Sequence, residues 1–169
     1  MKRIRGVSLV EALVALLVLS IGMLGIAGLF VESVRSSRSA LLRTQAVNLV
    51  GDMADRIRAN ATARAAYDTG EYGGAPTTHD CAPSPEGPGG RCTLAQLAED
   101  DLARWVAAVR SALPALDDAP PVSTVDYVAP TGPGAPERYR ITVSWREPGE
   151  NAPLSYRSDV VIIPRGAAT

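Results

Sequence analysis

The sequence is short of the residues that most activities need. It has one lysine, one histidine and two cysteines, and its 17 cations are offset by 18 acids for a formal net charge of -1. The single lysine is Lys2, and no basic patch interleaved with aromatics occurs, so nothing is present to neutralise a run of phosphates; nucleic acid is excluded as a partner. His79 lies near Cys81 and Cys92, but two cysteines and one histidine fall a ligand short of a tetrahedral metal site. There is no Cys–His pair beside a glycine-rich elbow and no phosphate-binding glycine loop. No catalytic residue, cofactor or metal is therefore expected, and the chain is not read as an enzyme. The acidic run Glu99-Asp100-Asp101 is expected to be a solvated face near a helix N-terminus, where negative charge is favourable. Asn60-Ala61-Thr62 fits a glycosylation sequon, but it falls inside a predicted helix and carries little weight. No internal repeat is found.

Polar residues are scarcest near the start. From Val7 to Val31 the only polar side chains are Ser8, Glu11 and Ser20. At about 1.5 Å per residue this run exceeds the ~30 Å hydrocarbon core of a bilayer and can span it with some tilt. Residues 1–6, with Lys2, Arg3 and Arg5, form a basic leader that places this end in the cytoplasm. The remainder is then exported. A secretory signal has similar parts, but its apolar stretch is shorter and a small-residue cleavage site follows it; Ile26-Ala27-Gly28 is a poor match, so the segment is expected to be retained.

Proline and glycine are absent from 29–50, and the helix is predicted to continue to about residue 65. Leu42, Ala46, Leu49, Met53 and Ile57 recur at helical spacing and make an apolar stripe, while Asp52 and Arg56 form an i,i+4 pair on the solvated side. The density of Gly and Pro over 68–92 predicts a loop. Thr93 opens a second helix with Gln96 completing a capping box. Ala98, Leu102, Trp105, Val109 and Leu113 line one face of this helix, expected over 94–113, and Pro114 ends it. Strands are predicted at about 122–128, 137–147 and 154–163. The clearest is the second, where Tyr139, Ile141, Val143 and Trp145 alternate with polar residues. Short turn-rich links make the three an antiparallel meander. The fold class expected is α+β: a long N-terminal helix packed on a small antiparallel sheet, with a second short helix.

Cys81 and Cys92 bracket a Pro/Gly-rich stretch in a part read as exported. That pattern predicts one disulfide, closing a loop over 81–92; the alternative is two free thiols.

Glu11 is a carboxylate near the start of a membrane helix, where an ionisable group normally has a partner or a function. The alternative is an interfacial residue reaching back to water or to the helix N-terminus. A basic leader, then Gly6, Val7 and Glu11 at the head of an uninterrupted apolar run, resembles the class III signal of type IV prepilins. The strings VEALVALLVLSIGMLGIAGL, QAVNLVGDMADRIRAN, ARWVAAVRSALP and ITVSWRE resemble the PilV family of minor type IV pilins, the type IV pilus modification proteins. The resemblance implies a prepilin peptidase that cuts after Gly6 and N-methylates Val7, although Val replaces the commoner Phe or Met there. It implies that Glu11 meets the free N-terminal amine of a neighbouring subunit, since opposite charges in a low-dielectric bundle offset each other's burial.

The implied organisation is a leader at 1–6, a transmembrane half of the first helix at 7–31, an amphipathic half at 32–66, and a periplasmic or extracellular α+β part at 67–169. Many major pilins carry a helix-breaking proline where this chain has Gly28; Gly22, Gly25 and Gly28 stand in its place. They supply flexibility or permit close helix packing in the membrane. The cysteines precede the sheet rather than closing a C-terminal loop, so a receptor-binding role for that loop is not carried over. The implied function is a minor pilin that primes pilus assembly with other minor pilins, the major pilin and a tip adhesin. Its place is the inner membrane, in contact with lipid, before assembly and the pilus after it. The alternatives are a minor pseudopilin of a type II secretion or competence system, and a membrane-tethered periplasmic binding domain.

Overall fold

The computed structural model describes residues 8–70, 75–81, 92–116, 119–147, 150 and 152–163. Its elements are helix α1 (Leu9–Ala59), a 3₁₀ turn (Ala61–Tyr67), helix α2 (Leu94–Ala112) and strands β1 (Val122–Val128), β2 (Glu137–Trp145) and β3 (Leu154–Ile162). The chain is α+β, a long N-terminal helix and a short second helix with a small three-stranded antiparallel sheet. Contacts divide it after Leu41 into two compact units.

In the first unit every described residue from Ser8 to Arg38 is exposed. Two hydroxyls in this helix are satisfied locally, Ser20 Oγ donating to the Leu16 carbonyl at 2.7 Å and Ser37 Oγ to the Ser33 carbonyl at 2.9 Å. A serine can thereby sit in an apolar stretch without leaving its O–H unpaired.

The second unit holds the core. Leu42, Ala46, Val50, Met53, Ala54 and Ile57 from α1 are buried against Ala98, Leu102, Trp105 and Val109 of α2 and against Val125, Tyr139, Ile141, Val143, Trp145 and Val160 of the sheet. Leu49, expected in the stripe, is only half buried and Val50 takes the deep position. Successive helical residues differ by about 100°, and the stripe drifts toward the 46/50/53/57 line that faces the sheet. Each large apolar side chain buried here is worth about 1.5–3 kcal/mol.

The sheet order is β1-β2-β3, both pairs antiparallel. Tyr139 pairs with Tyr127 on one side and Val160 on the other, which puts its ring 5.2 Å from that of Tyr127. The β1–β2 link turns through Gly134 at φ 78°, a left-handed conformation that glycine adopts without a Cβ penalty. The outer edge of β1 is covered by the residues after the 3₁₀ turn. Thr69 N–H donates to the Val125 carbonyl at 2.9 Å, and the Tyr127 N–H donates to Asp68 Oδ2 at 2.9 Å. An open strand edge is thus closed on that side.

Element ends differ from expectation for identifiable reasons. The α-helix stops at Ala59, not about residue 65. Asn60 leaves helical geometry at φ -118°, ψ 43°, and its side-chain amide donates to the Leu94 carbonyl at 3.0 Å, tying the end of α1 to the start of α2. Asn60 is therefore neither mid-helix nor an accessible glycan acceptor; it is buried. The 3₁₀ turn bends at Arg64, φ 50° and ψ -120°, a conformation costing on the order of 1–3 kcal/mol. Two gains stand against it: Tyr67 is fully buried, and Arg64 Nε lies 3.1 Å from the buried carboxylate of Glu137. Helix α2 ends at Ala112 rather than 113, because Leu113 precedes Pro114 and is pushed to an extended conformation, φ -114° and ψ 146°. Strand β2 ends at Trp145 rather than 147. The Glu147 carbonyl there accepts from the Glu150 N–H at 3.1 Å, which starts a turn. Strand β3 ends one residue early, at Ile162.

All the buried apolar residues of the core lie between Leu42 and Val160, so this part should fold without the apolar half of α1. A chain starting at about residue 32 is expected to be soluble and monomeric and to melt in one cooperative transition. Light scattering and thermal unfolding check this, and aggregation would refute it.

Candidate functional site

The first candidate feature is the N-terminal part of α1. It is the one described helix long and apolar enough to cross a membrane. From Leu9 to Val31 it rises about 34 Å at ~1.5 Å per residue, just above the ~30 Å hydrocarbon thickness. Gly6 and Val7, the expected processing residues, lie outside the described residues. Glu11 sits in the first turn of α1 and is exposed. A carboxylate there is favoured by the unpaired N–H groups of the helix start. Gly22, Gly25 and Gly28 lie inside the unbroken helix, and a Cβ added at any of them meets no atom within 4 Å. Among the described residues no contact requires glycine at these positions.

The second feature is a clasp built on the first turns of α2. The capping box is present as expected: the Gln96 N–H donates to Thr93 Oγ1 at 3.2 Å, and the Thr93 N–H donates to Gln96 Oε1 at 2.9 Å. Just before it, Cys92 is bonded to Cys81, with the Cα atoms 5.3 Å apart. The bridged loop, residues 82–91, lies outside the described residues. The strand of chain leading to Cys81 is fastened to α2 by its own N–H groups. Thr77 N–H donates to Glu99 Oε1 at 3.0 Å, and His79 N–H donates to Asp100 Oδ1 at 2.8 Å. The His79 ring Nε2 lies 2.7 Å from Glu99 Oε2. Arg104 Nε donates to Asp100 Oδ2 at 2.7 Å.

Asp101 turns the other way, into the junction of α1, α2 and the 3₁₀ turn. It accepts from Arg56 Nη1 at 2.9 Å and from the Tyr67 hydroxyl at 2.7 Å. Arg56 also binds Asp52 at 3.0 Å, the expected i,i+4 pair. Burial, and then the Asp101 carboxylate, hold the Tyr67 hydroxyl well above the usual tyrosine range.

The acidic run is thus not the solvated face expected. Asp100 is buried; Glu99 and Asp100 hold the segment from Thr77 to His79, and Asp101 holds Arg56 and Tyr67. The signal was present in the spacing: Asp101 stands three residues after Ala98 and four before Trp105, on the edge of the apolar stripe. Among the described residues no group of three or more His, Cys, Asp or Glu side chains is placed to hold a metal ion.

The clasp has a pH signature. The Glu99 carboxyl is held below its ordinary range by the His79 ring and the Thr77 N–H. Burial pushes Asp100 up, but Arg104 and the His79 N–H outweigh it and the net shift is downward. A carboxyl with a depressed folded pKa adds stability that is present above its unfolded pKa and lost as pH falls through the folded value. The second unit should therefore hold its stability from neutrality down to about pH 5 and lose it progressively below about pH 4, the ordinary carboxylate range. Glu99→Gln should flatten the acid limb of a melting-temperature profile and leave the neutral limb nearly parallel to the parent. An unchanged acid limb would refute the assignment.

Two family models match parts of the chain. Residues 28–103 match the family model described as Type IV pilin Tt1218, and residues 1–27 match the prokaryotic N-terminal methylation motif. The matched family is one of structural pilins, not enzymes. No curated protein and no solved structure matches the chain.

Proposed function

We propose that this chain, a pilin-type subunit carrying the N-terminal methylation motif of prepilins, is a minor type IV pilin that primes filament assembly. The observation that carries the reading is a coincidence on one helix. A basic leader, Gly6 and Glu11 head a run that the structure forms as an exposed apolar helix, and that helix continues into the core of an α+β unit. In this reading residues 1–6 are removed by prepilin peptidase. Residues 7–31 anchor the subunit in the inner membrane and then enter the filament core, residues 32–66 lay their stripe on the sheet, and residues 67–169 face the outside. Glu11 pairs with the new N-terminus of a neighbour. Gly22, Gly25 and Gly28 leave α1 free to bend or to pack closely between subunits. Other minor pilins, the major pilin and a tip adhesin are the partners.

The mature protein should begin at Val7 and carry one added methyl on its amine. Intact mass of membrane-extracted protein checks this, and a start at Met1 or after Ala27 would refute it. Replacing Gly6 by a bulky residue should leave the precursor in the membrane. Recovery of the mature chain in sheared extracellular filaments separates a pilus subunit from a secretion pseudopilin and from a tethered binding domain.

A further inference from the structure

Directly after Val31 the sequence runs Glu32-Ser33-Val34-Arg35-Ser36-Ser37-Arg38-Ser39. Arg35 and Arg38 are one turn apart on α1 and share a face. Both are exposed, and neither has an ion pair or side-chain hydrogen bond among the described residues. Elsewhere Arg56, Arg58, Arg64, Arg104 and Arg140 each hold a carboxylate; Arg43, Arg110, Arg138 and Arg157 are exposed without an ion pair among the described residues, but they lie farther along the chain, and what sets Arg35 and Arg38 apart is their place directly after the apolar run. Glu32, three residues before Arg35, is the one acid nearby and does not pair with it.

Depth decides what these guanidinium groups can meet. If α1 crosses a bilayer with Leu9–Val31 in the hydrocarbon, Arg35 lies about 6 Å and Arg38 about 10 Å beyond Val31 along the helix. The polar layer on each side of the hydrocarbon is roughly 5–7 Å thick, and an arginine side chain can reach back along the helix toward it. Both forks therefore fall at phosphate level, and the guanidinium matches phosphate oxygens two at a time. Orientation does not account for them, since Lys2, Arg3 and Arg5 already supply the cytoplasmic cations that set it.

We propose that Arg35 and Arg38 bind the phosphates of anionic phospholipids in the leaflet through which α1 exits, holding the trimmed subunit at a fixed depth until it joins the filament. This rests on the reading that α1 spans a bilayer. The grip is insensitive to pH, because arginine does not deprotonate, and it weakens with salt.

The test places a reporter beside the two arginines, one residue before Arg35 and four before Arg38. Full-length Val34→Trp protein is reconstituted in vesicles containing brominated phosphatidylglycerol or, at the same mole fraction, brominated phosphatidylcholine. The parent chain, with Trp105 and Trp145 buried in the second unit, supplies the background. The anionic lipid should quench the new tryptophan more strongly, corresponding to a preference on the order of tenfold. Arg35→Gln with Arg38→Gln should abolish that difference while α1 stays helical by circular dichroism. Equal quenching by both lipids would overturn the proposal and leave the spanning reading intact, as would a preference that survives the double substitution. No quenching by either lipid would overturn both. Lost filament incorporation in the double variant, with no lipid preference in the parent, would assign the arginines to a subunit contact and likewise overturn it.

Discussion

Trp105→Ala is expected to remove about 3–5 kcal/mol of stability from the soluble part, the range for deleting a large buried aromatic. Trp105 is fully buried and, with Trp145, has the largest of the wholly enclosed side chains among the described residues. It stands where α2, the second half of α1 and the sheet meet, so no single element can relax to fill the space. Its indole N–H also donates to the Leu49 carbonyl at 2.8 Å, which pins α2 to the helix backbone. Domains of this size have about 5–15 kcal/mol in total, so the variant should sit near the edge of folding. Trp105→Phe separates the two contributions. It keeps most of the ring volume and gives up the hydrogen bond, for a loss of about 1–2 kcal/mol. Urea unfolding of a chain starting at about residue 32 measures both, with Trp145 remaining as the fluorescent probe. A loss below about 1 kcal/mol for the alanine variant would mean that the site collapses freely and that the core is not closed around Trp105.

What could be read from the sequence follows the range of the forces involved. Helix α2 was legible almost to the residue because its start is a local reciprocal bond between Thr93 and Gln96 and its end is set by Pro114, both visible within four residues. Strand β2 was legible because one face is buried, and burial at Tyr139, Ile141, Val143 and Trp145 writes itself as a period of two. The end of α1 was not legible. Nothing near Asn60 in sequence announces a break; its amide is drawn to the Leu94 carbonyl, 34 residues away. The role of Glu99, Asp100 and Asp101 was hidden for the same reason. Three adjacent acids look like a solvated face until the fold brings Thr77, His79, Arg56 and Tyr67 to them. The disulfide lay between these cases, since only Cys81 and Cys92 were available to pair with each other. On the candidate site, Glu11 was conspicuous because a lone charge in an apolar run is costly wherever it ends up, whereas the partner proposed for it lies on another subunit.

Glu11→Ala should abolish entry of the subunit into filaments and leave its insertion and trimming intact. The carboxylate lies in the first turn of α1, exposed on a helix otherwise fit for a bilayer. On insertion scales a charged residue at mid-membrane costs about 2.5–3.5 kcal/mol, so removing it cannot hinder insertion and should help slightly. Cleavage after Gly6 involves a bond five residues earlier and should proceed. Assembly differs. In a bundle of apolar helices the positive amine created by trimming is itself costly to bury, and a neighbour's carboxylate offsets that cost while each group alone is a penalty. Breaking such a pair by removing one partner typically costs about 3–5 kcal/mol. That corresponds to a fall in incorporation of more than a hundredfold at the assembly step. Glu11→Asp keeps the charge and shortens the reach, and should fall between the two. Subunit content of sheared filaments, measured against membrane content and with surface pili counted in parallel, reads the effect. Pilus number should also drop in Glu11→Ala if this subunit primes assembly. Wild-type incorporation of Glu11→Ala would return Glu11 to an interfacial residue at the helix start, and the amine created at Val7 would then need a different partner.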